Sequence, residues 1–357
     1  MVEFIAYPQT NQFRQIVADL AKQKEEDLVT SLPTLKFTGT VKLHGTNAAI
    51  IYRKTFDHWC QSRNRILTNQ LDNEDFRRSM QPIARTFFNN CVLAQCPIVQ
   101  KYYDEDYIIA IYGEWCGSNI QKRANIAIAA LPKMFVIFKI RIICPQKTTK
   151  CKEKDFWIEP SQWKNIKWHE KRIYNIYDFN CYEIDIDFNQ PELVQDRLTQ
   201  LTDEVERRCP VGAYFNRFGC GEGIVWTEWT QTSGTLAFKV KGRQHAIVNS
   251  RILVPVSVVQ VQVDNINEFV EYACTNNRME QTYDWIKHEQ GRIESKTFND
   301  FVRWLAEDII KEEKDTMNKA NIHPKNVLNA ITSKAQIWFN SQLANDHRMN
   351  KKQKTID

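Results

Sequence analysis

The chain has 357 residues, of which 43% are hydrophobic and 25% are charged, and its formal net charge is +5. No apolar run approaches the roughly 20 residues of a membrane-spanning helix, which excludes that class of protein and a membrane partner. The N-terminal residues lack the basic flank and long apolar core of a secretory signal. The ten cysteines include no Cys-x-x-Cys pair. We therefore expect reduced thiols, in the cytoplasm or another reducing compartment, and neither a disulfide framework nor a zinc site.

The excess of positive charge lies in the first two thirds of the sequence. Residues 1–244 contain 33 basic and 28 acidic side chains, whereas residues 245–357 contain 15 of each. This mild positive balance permits a nucleic-acid partner but does not demonstrate one.

The first predicted elements surround a lysine-bearing turn. Apolar residues at helical spacing predict a helix over residues 11–30. The runs 35–41 and 48–52 are rich in Val, Ile, Thr, Phe and Tyr and predict two strands joined as a hairpin. Their connection, Thr40 to Asn47, contains Lys42, an imidazole and a glycine that lets backbone approach closely. It lacks the glycine-rich run and following helix of a phosphate-binding loop. It therefore indicates a lysine nucleophile, or an incidental lysine on a surface hairpin.

The middle of the chain alternates predicted strands with predicted helices. Apolar runs predict strands at 107–115, 134–143, 223–228 and 235–240. Helical periodicity is present at 72–91 and at 191–208, where a proline suits the first turn. The tryptophan-rich segment 144–189 gives no clear assignment.

Beyond about residue 263 the apolar pattern has only the helical period. Apolar residues follow the i, i+3, i+4 pattern after Thr297, a suitable N-cap, and Pro324 begins another helix. The sequence therefore predicts the α+β class, with an α+β domain over residues 1–245 and an all-helical domain over residues 246–357.

Polar residues recur at the ends of the predicted strands. They are Lys42, Arg63, Glu114, Glu222, Lys239 and Lys241, and the aromatic Phe138 lies in a strand between the two glutamates. Because strand ends of a sheet protein converge on clefts, these groups are predicted to face one pocket. Lys239 and Lys241 share one strand face, from which we expect them to lower the pKa of Lys42 and to hold a phosphate. The two carboxylates suit a hydroxyl contact and a divalent cation such as Mg²⁺.

Six of these elements, in this order, resemble the collinear motifs of covalent nucleotidyltransferases, the superfamily of ATP-dependent ligases and mRNA capping enzymes. They are Lys42-x-His44-Gly45-x-Asn47, Ser62-Arg63, Tyr112-Gly113-Glu114, the Phe138 strand, Glu222-Gly223-Ile224-Val225 and Lys239-x-Lys241. DNA ligases and capping enzymes usually have aspartate at the position of His44. Lys-x-His-Gly-x-Asn is characteristic of the RNA ligase 2-like family, which includes phage repair ligases and kinetoplastid RNA-editing ligases. The resemblance covers residues 35–243 and implies an N-terminal nucleotidyltransferase (adenylation) domain with antiparallel sheets, followed by a helical domain.

The resemblance implies an ATP-dependent RNA ligase that acts with Mg²⁺ or Mn²⁺ in three steps. Lys42 attacks the α-phosphorus of ATP to give lysyl-AMP, AMP passes to the 5′-phosphate of an RNA, and an RNA 3′-OH then displaces the AMP. The expected substrate is nicked duplex RNA, in RNA repair or editing, and the expected form is a monomer. Such chemistry depends mainly on alignment and charge neutralisation.

The resemblance also implies which residues carry the reaction. Lys42 is the nucleophile and Glu222 is the carboxylate associated with the metal. Lys239 and Lys241 bind the α-phosphate and assist both adenylate transfers. His44 serves the later steps or orients a phosphate, or else has a packing role.

A second group of residues is implied in nucleotide binding. Asn47 orients a phosphate or stabilises the turn, and Arg63 contacts the phosphate of AMP, with Arg65 or a surface salt bridge as alternatives. Glu114 binds a ribose hydroxyl or forms a structural ion pair. Phe138 stacks on adenine or belongs to the core.

One position departs from the family pattern. Family members commonly have aspartate directly after the stacking aromatic, and here that position is Lys139. Either the contact made by that acid in later steps is missing or supplied elsewhere, or Phe138 is not the stacking aromatic.

Two other functions stay open at this point. A capping-type guanylyltransferase is disfavoured by His44 and by the absence of a β-rich pattern after residue 245. A catalytically inactive RNA-binding relative would be expected to have lost key residues, whereas the lysines and Glu222 are all present. The helical domain either helps to grip duplex RNA or serves as a stabilising cap, since its balanced charge indicates no broad electrostatic footprint.

Overall fold

The computed structural model describes residues 2–26, 30–120, 126–145, 154–242, 266–290 and 293–353. The chain divides into two compact units, Met1–Gln244 and His245–Asp357. The predicted domain boundary between residues 245 and 246 lies outside the described residues.

The first unit is built on two β-sheets. Its described strands are β1 (Asn11–Gln12), β2 (Thr34–Lys42), β3 (Gly45–Arg53), β4 (Asp57–Ser62), β5 (Ile108–Cys116), β6 (Met134–Ile143), β7 (Phe156–Trp157), β8 (Ile173–Asn175), β9 (Cys181–Asp187), β10 (Gly223–Glu228) and β11 (Ala237–Lys241). The first sheet has the order β1-β11-β10-β2-β9, and the second has the order β4-β3-β5-β6-β7, with β8 also paired to β6. The described pairs are antiparallel except β1 with β11 and β6 with β8.

Helices accompany the sheets and make up the described part of the second unit. In the first unit they are α1 (Phe13–Glu26), α2 (Phe76–Met80), α3 (Ala84–Phe87), α4 (Pro97–Asp104), α5 (Gln195–Arg207) and α6 (Pro210–Tyr214), with a π-helical turn at Phe88–Leu93. In the second unit they are α7 (Ile266–Ala273), α8 (Asn276–Gln290), α9 (Phe298–Glu312), α10 (Lys314–Lys319) and α11 (Pro324–Gln353). This arrangement, with antiparallel sheets followed by helices, confirms the predicted α+β class.

The apolar periodicity of the second unit is explained by its core. Its buried side chains come from facing helices and include Phe269, Ile286, Phe301, Leu305, Ile309, Val327, Ile331 and Phe339. On α9 and α11 these residues recur at a spacing of four (Phe301, Leu305 and Ile309; Val327 and Ile331), which is the pattern of amphipathic helices that pack together.

The two strands on either side of the lysine-bearing turn do not form a hairpin. β2 pairs with β10 and β9 in the first sheet, whereas β3 pairs with β4 and β5 in the second. The link between them passes through the interior, because Leu43 is 5% exposed and His44 is 9% exposed. The predicted hairpin is therefore wrong. Local sequence indicates two strands and a turn, but a central strand needs a hydrogen-bonded partner on each edge, and both partners of β3 (β4 and β5) come from later in the chain.

A β-bulge in β6 changes which side chains share a face. Tyr112 pairs with Lys139, but the next residue, Gly113, pairs with Ile137, which leaves Phe138 without a partner in the ladder. Such an extra residue lets consecutive side chains point to the same side of the sheet. Phe138 and Lys139 accordingly contact the same group of aromatic rings, although side chains of adjacent strand residues normally alternate.

Other sequence-based expectations concern membranes and cysteines. No helix in the described part of the chain is both long and apolar enough to span a membrane. Among the described residues, eight cysteines are free thiols, but Cys144 is disulfide-bonded. The prediction of fully reduced cysteines is thus wrong for Cys144, because spacing in the sequence does not report which thiols the fold brings together.

Candidate active site

Two lysines and a glutamate meet at the end of three neighbouring strands of the first sheet. Gly223, the first residue of β10, pairs with Lys42 of β2 on one side and with Lys241 of β11 on the other. Glu222 precedes this glycine, so its carboxylate lies between the two lysines. The Lys42 ammonium is 2.8 Å from Glu222 Oε2, and the Lys241 ammonium is 3.1 Å from Glu222 Oε1.

Gly223 is required for this arrangement. Its φ of +151° lies in the region that favours glycine, and a Cβ there would overlap the Val240 carbonyl oxygen on β11. The close approach of β10 to β11 therefore depends on the missing side chain. It is this approach that brings Glu222 within reach of both lysines.

The charge state of each group follows from its neighbours. Burial opposes ionisation of Glu222, but the Lys42 and Lys241 ammonium groups outweigh it and hold the pKa of Glu222 well below its usual range. Burial also opposes the charge of Lys42, but the carboxylates of Glu222 and Glu114 raise its pKa above the ordinary value. The expectation that neighbouring lysines lower the pKa of Lys42 is therefore wrong, because the two carboxylates dominate its surroundings. Of the two lysines that contact Glu222, it is Lys241 whose pKa is lowered, mainly by burial.

His44 completes the group on the β2 side. Its ring lies in the link between the two sheets and is 9% exposed, and its Nδ1 is 3.7 Å from Glu222 Oε2. That separation is too long for a direct hydrogen bond. The imidazole nevertheless lies beside the same carboxylate as Lys42 and Lys241.

The second sheet contributes Glu114, Asn47 and Arg63. Glu114 of β5 pairs with Asn47 of β3, and the Gly45 backbone hydrogen-bonds to the Glu114 carboxylate. Burial raises the pKa of Glu114 to about 7, the Lys42 charge opposes this and the Glu222 charge adds to it. Arg63 follows the last residue of β4, and its charge acts on both Glu114 and Lys42. These groups therefore lie within electrostatic reach of Lys42, from the opposite sheet.

Lys239 lies further along β11. It pairs with Val225 of β10 and with Gln12 of β1, whereas Lys241 pairs with Gly223 beside Glu222. Its charge lowers the pKa of Lys241. Lys239 thus borders the group around Glu222 on the same strand as Lys241.

Phe138 lies at the bulge and packs against Tyr7, which sequence reasoning missed. The two rings meet edge to face, with centroids 5.3 Å apart. Burial raises the pKa of Tyr7 to about 12; a hydrogen bond with the Thr10 side chain and the Arg63 charge oppose this, and the Glu114 charge adds to it. Tyr7 therefore contacts Phe138 and lies within electrostatic reach of Arg63 and Glu114. An isolated aromatic in a segment without periodic pattern gives no sequence signal for such a position.

The N-terminal segment is held on the second sheet by polar contacts. The Ile5 backbone N–H donates to the Gln61 side chain at 3.1 Å, and that side chain donates in return to the Ile5 carbonyl. The Tyr112 hydroxyl donates to the same carbonyl at 3.2 Å. These contacts fix the position of Tyr7, two residues further along.

Lys139 lies on the same face, in a different environment. Its ammonium donates to the Gly234 carbonyl at 2.6 Å and lies 4.4 Å from the ring centroid of Trp157 and 5.3 Å from that of Trp229. Burial lowers its pKa to about 7, with a smaller contribution from Arg141. It lines a cavity of about 240 Å³ that is also lined by Tyr7 and Trp157. Neither Lys42 nor Glu222 lines that cavity.

A family model described as RNA ligase matches residues 35–241, which is more than half of the chain. No curated protein matches the chain.

The similar structures include variants of Naegleria gruberi RNA ligase. One, solved with ATP and Mn, is 18% identical with a TM-score of 0.40, and another, solved with AMP and Mn, is 17% identical with a TM-score of 0.41. The Naegleria gruberi RNA ligase with PPi is 17% identical, with a TM-score of 0.37. Each match covers 68% of this chain and 58% of the other chain. The chain therefore spans less than two thirds of the length of these structures.

The extent of the family match decides the assignment. Residues 35–241 begin within β2, which ends at Lys42, and end at Lys241, and they include Glu114, Phe138 and Glu222. On this match, the chain belongs to the RNA ligase family.

Proposed function

We propose that this member of the RNA ligase family is an ATP-dependent ligase that joins RNA 3′-OH and 5′-phosphate ends through a lysyl-AMP intermediate. The single observation that carries the proposal is the contact of the buried Glu222 carboxylate with two partly buried lysines, Lys42 at 2.8 Å and Lys241 at 3.1 Å. This group lies where the chain passes from one sheet to the other. Glu222 therefore holds the proposed nucleophile, Lys42, and the proposed phosphate-binding residue, Lys241, in direct contact with its carboxylate.

The first step is attack of the Lys42 amine on the α-phosphorus of ATP. A nitrogen–phosphorus bond forms, the bond from that phosphorus to the bridging oxygen breaks, and pyrophosphate leaves. Only the neutral amine is nucleophilic. Since the Glu222 and Glu114 carboxylates favour the ammonium form, Lys42 has to lose a proton, and its ion pair with Glu222 has to open, before attack.

The next two steps transfer the adenylate. An oxygen of the RNA 5′-phosphate attacks the phosphorus of lysyl-AMP and releases Lys42. The 3′-OH of the second RNA end then attacks the activated 5′-phosphate, and AMP leaves. Lys241 and Lys239 are proposed to hold the α-phosphate during both transfers, and His44 to orient a phosphate in the later steps.

Nucleotide recognition is proposed for residues of the second sheet. Phe138 would stack on adenine, Glu114 would accept a hydrogen bond from a ribose hydroxyl, and Asn47 and Arg63 would contact phosphate oxygens. The Naegleria gruberi structures solved with ATP or AMP support ATP as the substrate. Phe138 is only partly buried, in contrast to the buried residues on either side of it in β6.

A divalent cation, Mg²⁺ or Mn²⁺, fits the carboxylates present. The Glu222 charge raises the pKa of Glu114, so two carboxylates share one partly enclosed region. Mg²⁺ prefers one or two carboxylates together with phosphate oxygens and water. Glu222 would hold it through water, because both of its oxygens already contact lysines. When bound, the metal would neutralise charge on the phosphates.

The substrate, the active form and the roles of the two domains are proposed as follows from the family. We propose nicks in duplex RNA as the substrate, in RNA repair or editing, and a monomer as the active form. Residues 1–245 would form the adenylation domain and residues 246–357 a helical domain that helps to grip the RNA. The match covers only 58% of each Naegleria chain. The substrate, the active form and the domain roles are therefore proposals for this chain and are not carried over from those structures.

The proposal is tested by labelling and sealing assays on the purified chain. We expect α-labelled ATP with Mg²⁺ or Mn²⁺ to label the wild-type protein covalently and to leave Lys42→Ala unlabelled. A nicked duplex with RNA ends should then be sealed only by the wild type, and the same duplex made of DNA reports which sugar is needed. Labelling by GTP alone would establish the capping-type alternative, and no labelling by either nucleotide would establish an inactive relative.

A further inference from the structure

The first unit carries an exposed group of aromatic and arginine side chains beside the candidate active site. This aromatic–arginine surface consists of the exposed Arg172, Arg208, Tyr214, Arg217 and Phe218 and the half-buried Tyr174. We propose that it binds an unpaired segment of the substrate RNA that lies outside the nicked duplex, an inference that rests on the proposed ligase function.

The surface is assembled by aromatic packing between two segments distant in sequence. Tyr174 meets Phe215 with ring centroids 5.1 Å apart, and Phe179 meets Tyr214 at 5.2 Å. The neighbouring rings of Tyr214 and Phe215 are 4.9 Å apart. This packing fixes the backbone of both segments, so the exposed side chains are presented from a rigid base.

Exposure of the aromatic rings on this surface is unusual. Phe218 is 77% exposed and Tyr214 is 49% exposed. The Arg208 guanidinium lies over the Phe218 ring, 5.4 Å from its centroid. A solvent-facing ring with a cation beside it offers a nucleic acid a stacking face and a phosphate contact at the same point.

The charge of the surface favours RNA over a protein partner. Residues 207–220 contain three arginines and no acidic residue. Within the described part of the chain, Arg172, Arg208 and Arg217 form no ion pair with a carboxylate. The nearby Asp178 is already paired with Lys167 and His169. The guanidinium groups are therefore available to phosphates.

The position of the surface connects it to the reacting ends. Its segments lead directly into the candidate active site, because Cys220 is two residues before Glu222 and Cys181 pairs with Thr40, two residues before Lys42. The Cys181 thiol donates to the Phe179 carbonyl at 3.6 Å. The aromatic–arginine surface and the candidate active site are therefore carried by the same stretches of chain.

Binding of a short single-stranded RNA to the full chain, without ATP, tests the inference by fluorescence anisotropy. We expect Phe218→Ala to weaken binding about tenfold, because stacking on an aromatic ring contributes about 1–3 kcal/mol per base. Phe218→Trp should bind as well as wild type, whereas Phe218→Leu should behave like Phe218→Ala. The matched control is Phe56→Ala, which removes a ring that lies under Arg53 at 5.3 Å and should leave RNA binding unchanged.

Salt dependence tests the arginines separately. Arg208→Gln and Arg217→Gln should each lower the slope of log affinity against log salt by about 0.7, the value for one contact to a single strand. Wild-type affinity and slope in Phe218→Ala and Arg217→Gln would overturn the inference and leave the surface to a protein partner. Full RNA affinity in Phe218→Leu would also overturn it, since an aliphatic side chain cannot stack on a base.

Adenylation assays on the same variants separate this inference from the proposed function. All surface variants should form the covalent adenylate at the wild-type rate. If the adenylate forms and RNA binding does not change, the surface inference alone fails. If the wild type forms no adenylate, the proposed ligase function fails. The surface inference, which assumes that Lys42 acts on an RNA end, then fails with it.

Discussion

Two lysines on the inner faces of the first unit, Lys42 and Lys139, differ in what surrounds them. The Lys42 ammonium contacts the Glu222 carboxylate at 2.8 Å, and its pKa is raised. The Lys139 ammonium contacts a backbone carbonyl and two tryptophan rings, and burial lowers its pKa to about 7. Burial therefore does not by itself set the charge of a lysine. A carboxylate offsets the cost of desolvation, whereas a carbonyl and aromatic faces offset only part of it.

The two environments also arise from different backbone devices. Lys42 is placed by strand pairing, since Gly223 lies across from it and Glu222 precedes that glycine. Lys139 is placed by the bulge that leaves Phe138 unpaired. Strand pairing brings together residues from distant parts of the chain. The bulge instead shifts the alternation of side chains along β6 by one residue.

The largest effect is expected from removing the nucleophile while keeping the charge. Lys42→Arg retains a cation beside Glu222, but a guanidinium does not lose its proton near neutral pH. We expect covalent labelling by ATP to fall about a thousandfold or more, while the free energy of unfolding changes by less than about 1 kcal/mol. Labelling and urea unfolding measure the two. Wild-type labelling in Lys42→Arg would show that another residue carries the adenylate.

The next largest effect should follow from a side chain at Gly223. Gly223→Ala places a Cβ against the Val240 carbonyl at a φ of +151°, so β10 must move away from β11. We expect the free energy of unfolding to fall by about 3 kcal/mol or more, together with a loss of labelling as Glu222 leaves the lysines. Thr227→Ala in the same strand is the control and should cost less than about 1 kcal/mol. Equal costs for the two variants would contradict the assigned role of Gly223.

The pH dependence of stability tests the environment of Lys139. Its pKa is about 7 in the folded protein and 10.5 as the ordinary value, so the unfolded chain binds more protons between these two pH values. Stability attributable to Lys139 should therefore rise with pH across this window, by about 2–4 kcal/mol. Lys139→Met, which keeps the shape and removes the charge, should lose this rise.

Urea unfolding of the wild type and Lys139→Met at several pH values between 7 and 9.5 measures the difference directly. Subtracting the variant from the wild type removes the contributions of all other titrating groups. A constant difference between the two proteins across that range would mean that the carbonyl and the tryptophan rings fully compensate burial of the ammonium.

The smallest effect is expected at the turn that supplies the carbonyl to Lys139. The buried Glu228 carboxylate accepts backbone hydrogen bonds from Thr230, Gln231 and Thr232. Burial opposes its charge, but these bonds lower its pKa. Glu228→Gln should cost about 1–2 kcal/mol of unfolding free energy, because an amide oxygen replaces only one of the two acceptors. Glu183→Gln, at an exposed ion pair with Lys36, should cost less than about 0.5 kcal/mol.

Much of the local structure could be read from the sequence. The predicted strands at 134–143 and 223–228 have the same bounds as β6 and β10, because an apolar run between breakers is a local property. The predicted helix at 72–91 is instead divided into α2, α3 and a π-helical turn. Its spacing is only approximately helical, and packing of the buried side chains decides where each piece ends.

The candidate site was predictable as a set of residues but not as a geometry. Lys42, Glu222 and Lys241 were selected from the order of the motifs, and the structure brings them into contact. The direction of the Lys42 pKa shift was predicted wrongly, since the distances to Glu222 and Glu114 are not present in the sequence. Tyr7 was missed for the same reason, because nothing in the sequence around it indicates that it packs against Phe138.

The sequence by itself determined the chemistry available to this protein: the order of its motifs, the mixed α+β character of its first part and the helical character of its second. Those properties depend on neighbouring residues and on residue type. Only the tertiary structure decided that β2 and β3 enter different sheets, that Glu222 lies between two lysines and that Lys139 shares a face with Phe138. Strand partners and electrostatic distances join residues far apart in the chain, and only folding sets the separations on which their energies depend.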